Sequence, residues 1–188
     1  MKKKYFYRVF SDSIKILIIT SLISSFGGAS LESVRERIFV VMPLLIMLPA
    51  MNSMAGNFGS IVSSKFTTML FLGVVSKRNW RKSNRIKNLF VKMFVIALIL
   101  AFYVSVVSCA VSVLQGYKLS VSEFFKILLL AYSSVIILLF IIFFVAIFLG
   151  FLVFKRGHNP DNFLIPITTA IGDFGNMLLI SILTTILF

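Results

Sequence analysis

The chain has 188 residues, of which 59% are hydrophobic, and a formal net charge of +13. Its mean hydropathy is +1.03, which excludes an ordinary soluble globular domain: a chain of this size cannot hide so much apolar surface in one core. The charge does not point to nucleic acid either, because the basic residues lie in short stretches between apolar runs and no segment is long enough to build an extended soluble basic face.

Residues 1–13 are basic and aromatic (Lys2, Lys3, Lys4, Arg8; Tyr5, Phe6, Tyr7, Phe10) and read as an interfacial segment. No small-residue cleavage site follows the first apolar run, so a cleavable signal peptide is not expected. The first span covers about 14–31, with Lys15 snorkelling at its end. A polar turn carries Glu32, Arg35, Glu36 and Arg37. The second apolar segment, about 38–75, is interrupted by Pro43, Pro49, Gly56 and Gly59. A basic loop follows, then a third span at 93–114, which contains Cys109 as a packing residue. As the only cysteine, it rules out an intramolecular disulfide. The fourth span, 127–154, is nearly pure Ile, Leu, Phe and Val and reads as lipid-facing scaffold. The fifth covers 162–188.

Residues 38–75 are too long for one simple crossing, and charge decides between one crossing and two. With one, the amino end (Lys2, Lys3, Lys4, Arg8, Lys15), the loop (Lys77, Arg78, Arg81, Lys82, Arg85, Lys87, Lys92) and Lys155 with Arg156 share a side. Only Arg35, Arg37, Lys118 and Lys126 lie opposite, and Lys65 falls within the segment. Two crossings would put the seven-charge loop on the wrong side. The expected fold class is therefore an all-α membrane protein with five transmembrane helices, a long broken second helix, amino end inside and carboxyl end outside. Residues 14–188 form the transmembrane domain of a multi-pass protein of the cell membrane.

Asp173 stands out because it is an acid inside the fifth span with only uncharged residues around it. A carboxylate at bilayer depth costs roughly 2.5–3.5 kcal/mol even on lenient scales, so it faces a protein interior or a water-filled path. Asn162, Pro166, Thr169, Asp173 and Asn176 are spaced 4, 3, 4 and 3, which puts them on one helical stripe. Oxygen ligands around one carboxylate suit a hard cation that keeps most of its water, magnesium first. For Thr169 and Asn176 taken singly, a hydrogen-bonded seam between helices is the competing reading.

In the second segment Asn52, Gly56, Gly59 and Ser63 repeat the 4, 3, 4 spacing, with Asn57 beside them. Small residues there admit a close helix neighbour, either as plain packing or as part of an ion path. The run His158-Asn159-Pro160-Asp161-Asn162 opens the last span and is also ordinary capping chemistry. No catalytic triad, phosphate loop or paired acids are visible, so an enzyme is not expected. A lone His158 does not make a zinc site.

Several blocks together resemble the membrane domain shared by the MgtE magnesium channels and the solute carrier 41 family. They are Pro43-Leu44-Leu45, Gly56-Asn57-Phe58-Gly59-Ser60, Ser64-Lys65-Phe66-Thr67-Thr68, and Asn159-Pro160-Asp161-Asn162 followed by Pro166, Thr168-Thr169 and Gly172-Asp173. The resemblance covers the whole chain. It implies a divalent-cation path between two five-helix units, hence a homodimer here, with the acid at Asp173 lining the pore and Mg2+ as the ion bound and carried. The MgtE channels have an acid where this chain has Asn159. The expected ion ligands are thus Asp173, Thr169 and Asn176. The expected path also includes Asn52, Asn57, Gly56, Gly59, Asn159, Asp161, Asn162 and Pro166. A sodium- or proton-coupled divalent-cation exchanger and a non-transporting membrane subunit that needs a partner are the alternative functions.

Overall fold

The computed structural model describes residues 2–188, with side chains from Ile14 onward and at Phe10. Six α-helices follow in order: α1 (Lys2–Glu32), α2 (Arg35–Val40), α3 (Met42–Phe71), α4 (Asn84–Leu114), α5 (Val121–Lys155) and α6 (Asp161–Leu187), with a short 3-10 turn at Trp80–Lys82 between α3 and α4. Among the described residues there is no strand. All but α2 are long and apolar enough to cross a membrane. A bilayer leaves backbone polar groups no other partner, so apolar runs of this length fold into helices that satisfy themselves. The backbone of the expected interfacial segment is helical from Lys2 and continuous with α1. Apart from Phe10, the side chains on which its interfacial character rests lie outside the described residues.

The long second segment resolves into α2, a break at Val41 (φ −95°, ψ 81°), and α3. Of the expected interruptions, only the one beside Pro43 interrupts the helix. From Met42 the helix continues through Pro49, Gly56 and Gly59. Pro49 removes a single backbone donor, and a packed membrane helix tolerates that loss. α4 begins at Asn84 rather than Met93, so Arg85, Lys87 and Lys92 are helical residues and not loop.

The helix ends are written in short motifs. α3, α4 and α5 each end two residues before a left-handed glycine: Gly73 (φ 65°), Gly116 (φ 89°) and Gly157 (φ 72°). Paired bonds close each end, such as Val74 N–H to Met69 O and Gly73 N–H to Leu70 O, a geometry that only glycine enters without strain. At the start of α5 the Ser120 hydroxyl accepts from Glu123 N–H at 3.1 Å, while the Glu123 carboxylate accepts from Ser120 N–H at 2.9 Å.

The packing runs α4, then α3 with α5, then α6, then α1, and α1 rests chiefly on α6. Contacts fix direction. Gly27 of α1 faces Phe174 and Met177, and the Ser181 hydroxyl donates to Ser30 O at 2.8 Å, so α1 and α6 are parallel. α3 meets α6 in the opposite sense, with Asn52 near Asp173 and Ser63 near Thr168. The helices thus alternate in direction, and the start of α1 and the end of α6 lie at opposite ends of the bundle. At the α6 end Arg37 donates to Thr185 O at 2.8 Å, a cation on the carbonyl end of a helix.

α5 is not the plain lipid-facing scaffold its composition suggests. Ile127, Leu130, Leu138, Leu139 and Ile142 are fully buried in the core while Phe140, Phe144 and Phe148 point outward. An apolar sequence cannot mark these two faces, because lipid and core are equally apolar.

Candidate functional site

The centre of the molecule is the crossing of α3 and α6, and glycines make it close. A Cβ at Gly59 would stand 2.7 Å from the Thr168 carbonyl carbon, and one at Gly172 would stand 2.8 Å from Ala55 O. Side chains of any size at these positions would push the helices apart. The small-residue spacing of the sequence is therefore a real contact surface, and its partner is the helix that carries the acid.

On that contact sits a chain of hydrogen bonds. Ser134 Oγ of α5 donates to Asn176 Oδ1 at 3.3 Å. Asn176 Nδ2 donates to Asn52 Oδ1 at 3.4 Å. Asn52 Nδ2 in turn donates to Asp173 Oδ1 at 3.3 Å. Every donor in the series aims toward the carboxylate, so the core presents it with positive dipole ends. One turn away Thr169 Oγ1 lies 3.2 Å from Ser60 Oγ and donates to Gly56 O at 3.4 Å. Behind them Ser63 and Thr168 share a buried hydroxyl pair at 2.8 Å.

The expected residues do not all meet. Asn52, Gly56, Gly59, Thr169 and Asp173 are brought together at the crossing. Asn176, expected as an ion ligand, is fully buried, with both ends of its amide engaged by Asn52 and Ser134. It holds Asn52 and does not share the partly exposed position of Asp173. The cause is geometric: a 4, 3, 4, 3 spacing averages 3.5 residues per turn, and a straight helix drifts about 20° per heptad from it. The stripe is exposed at Asn162, half-buried at Pro166, Thr169 and Asp173, and inside the core by Asn176.

Asn159, Asp161 and Asn162 form a separate level at the start of α6. Asp161 N–H donates to Asn159 Oδ1 at 3.1 Å, an Asx turn just before the helix. Asp161 Oδ1 is buried with no hydrogen-bond partner. Twelve residues of helix put Asp161 roughly 18 Å from Asp173 along the axis.

Sequence reasoning missed Ser134 and Ser60. Ser134 was hidden in the apolar run of α5, where a lone hydroxyl pair (Ser133, Ser134) is its only signal. Ser60 continues an exposed polar face on α3 made by Ser53, Asn57, Ser64, Lys65 and Thr68. Among the described residues no three of His, Cys, Asp and Glu gather, and the only ion pair joins Arg35 and Glu32. Among the described residues Asp173 is an acid without a cation partner.

Five long apolar helices packed around a polar seam define a multi-pass membrane protein. The family model of the MgtE divalent cation transporters matches residues 48–183. A search of curated proteins finds no match. The chain belongs to the MgtE divalent cation transporter family, a family of transporters and not of enzymes.

Proposed function

We propose that the chain carries Mg2+ across the cell membrane as a symmetric homodimer, with Asp173 of both copies as the central ligands. The observation that carries this reading is the partly exposed Asp173, beside an α3 face that presents Asn57 and Lys65 away from the core. Serine and threonine on that face settle their hydroxyls on their own helix, as Thr68 does with Ser64 O at 2.9 Å. An amide, an ammonium and a carboxylate are not so easily settled, and lipid does not receive them. A second copy across a two-fold axis covers the face and lines one wet path with it from both sides. Two carboxylates near one axis favour a shared cation. Thr169 and the Gly56 carbonyl add neutral oxygens, which suits an ion that keeps its water. Asn52 and Asn176 hold the acid in place. Asp161 with Asn159 and Asn162 forms the mouth at the basic end of the bundle, which is the cytosolic end by the excess of Lys and Arg there.

Transport is tested with the purified chain alone in proteoliposomes. Mg2+ entry down its gradient is expected without a second ion. Flux that requires sodium or a proton gradient would identify an exchanger, and no flux at all would identify a subunit that needs a partner. Architecture is tested with single cysteines in a Cys109→Ala background. Cysteines at Ser83 and Ser122 are expected to label from opposite faces, Ser83 from the cytosol. Cysteines at Asn57 or Ser64 are expected to crosslink between copies, while one at Phe148 on the lipid-facing side of α5 is not. Labelling of both loops from one face would overturn the five-crossing orientation, and crosslinks at Phe148 alone would move the interface elsewhere.

A further inference from the structure

A second feature lies away from the α3–α6 crossing. Between the end of α3, the first turns of α4 and the last half of α5 is a groove of about 1160 Å3. That exceeds the roughly 300–1,000 Å3 usual for small-molecule pockets. Its walls are aromatic: Phe90 packs against Phe140 and Phe143 with ring centroids 5.1 and 5.0 Å apart, and Phe144 stacks on Phe148 at 6.3 Å. Its rim at the basic end of the bundle holds Lys77, Arg81, Lys87 and Lys155 together with Trp80. Arg81 lies over the Trp80 ring at 5.3 Å. None of these four cations has a carboxylate partner among the described residues.

We infer that this groove is a binding site for one anionic phospholipid, with its acyl chains along the phenylalanines and its phosphate among the rim cations. Both halves of the site are explained by that one ligand. A long apolar cleft open toward the bilayer must be filled by hydrocarbon, which any lipid supplies. Four cations at the rim, without a carboxylate partner among the described residues, select among lipids by charge, since each basic residue near the surface attracts anionic headgroups. Trp80 is the residue type that favours the boundary between the two. The site does not depend on the ion path. The proposed orientation enters only in assigning it to the cytosolic leaflet.

The test is native mass spectrometry of the full chain in detergent, titrated with phosphatidylglycerol and with phosphatidylcholine of the same acyl chains. Phosphatidylglycerol is expected to bind at least roughly tenfold more tightly. The combined change Lys77→Gln, Arg81→Gln and Lys155→Gln is expected to bring it down to the phosphatidylcholine level. The pair Lys118→Gln and Lys126→Gln at the other end of the bundle is expected to leave it unchanged. Because loop charges also orient the chain during insertion, Ile147→Trp serves as a second variant that fills the groove and keeps every charge. It is expected to abolish the tight site. Equal binding of the two lipids, equal loss in the Lys118/Lys126 pair, or full binding in Ile147→Trp would each overturn the assignment.

Discussion

Asp173→Asn is expected to reduce Mg2+ flux in proteoliposomes to the level of protein-free vesicles while the purified protein stays folded and monodisperse. The substitution keeps the shape of the side chain and its place beside Asn52 Nδ2, which lies 3.3 Å from Asp173 Oδ1. It removes the charge, and charge is what draws a hard, strongly hydrated dication into a path of neutral oxygens. Folding should not suffer, because an uncharged side chain at this depth inserts more easily than a carboxylate, whose own cost is roughly 2.5–3.5 kcal/mol on insertion scales. Asn176→Ala supplies the contrast. That residue is fully buried and bridges Ser134 and Asn52, so its loss should weaken the fold and flux together. Wild-type flux in Asp173→Asn would remove the acid from the path, whatever happens at Asn176.

Gly59→Val is expected to be among the most destabilising single changes in the chain, lowering the thermal midpoint in detergent sharply. A Cβ there meets the Thr168 carbonyl carbon at 2.7 Å and its oxygen at 2.8 Å. The obstacle is backbone, which cannot swing aside as a side chain can, so α3 and α6 must separate. Overpacking of a tight core costs about 1–3 kcal/mol, and a valine against backbone belongs at the upper end. Separation would also break the pair Ser63–Thr168, now 2.8 Å apart. Gly28→Ala, with nothing within 4 Å of the added carbon, should be neutral or slightly stabilising through helix propensity. Equal midpoints for Gly59→Val and Gly28→Ala would show that the two helices do not rely on this contact.

The five crossings were legible because a bilayer imposes one length and one secondary structure on an apolar run, and the sequence repeats that run five times. The start of α4 was not: apolar content begins at Met93, but Arg85, Lys87 and Lys92 are good helix formers that extend the helix beyond the hydrocarbon to Asn84. Proline and glycine overstated the breaks in the second segment, since in lipid a missing hydrogen bond is less costly than an opened helix. At the α3–α6 crossing, the two spacings that the sequence offered do meet, with Asn52 and Gly56 against Asp173. The α6 spacing put Asn176 on the same stripe, whereas the helix turns that residue fully into the core, because a sequence stripe carries no register against the core. Ser134 was beyond reach, since the polarity it answers lies 42 residues away on another helix.

The attachment of α1 has a consequence for how the molecule is made. The first helix of the chain leans chiefly on the last, through Gly27 against Phe174 and Met177 and through the Ser181–Ser30 bond across 151 residues. Chains grow from the amino end at about 5–20 residues per second, so those residues take on the order of ten to thirty seconds to follow. During that interval α1 lies in the bilayer with its intended neighbour still unmade. Its docking waits for α6, and a chain cut short before α6 leaves α1 without its main packing partner.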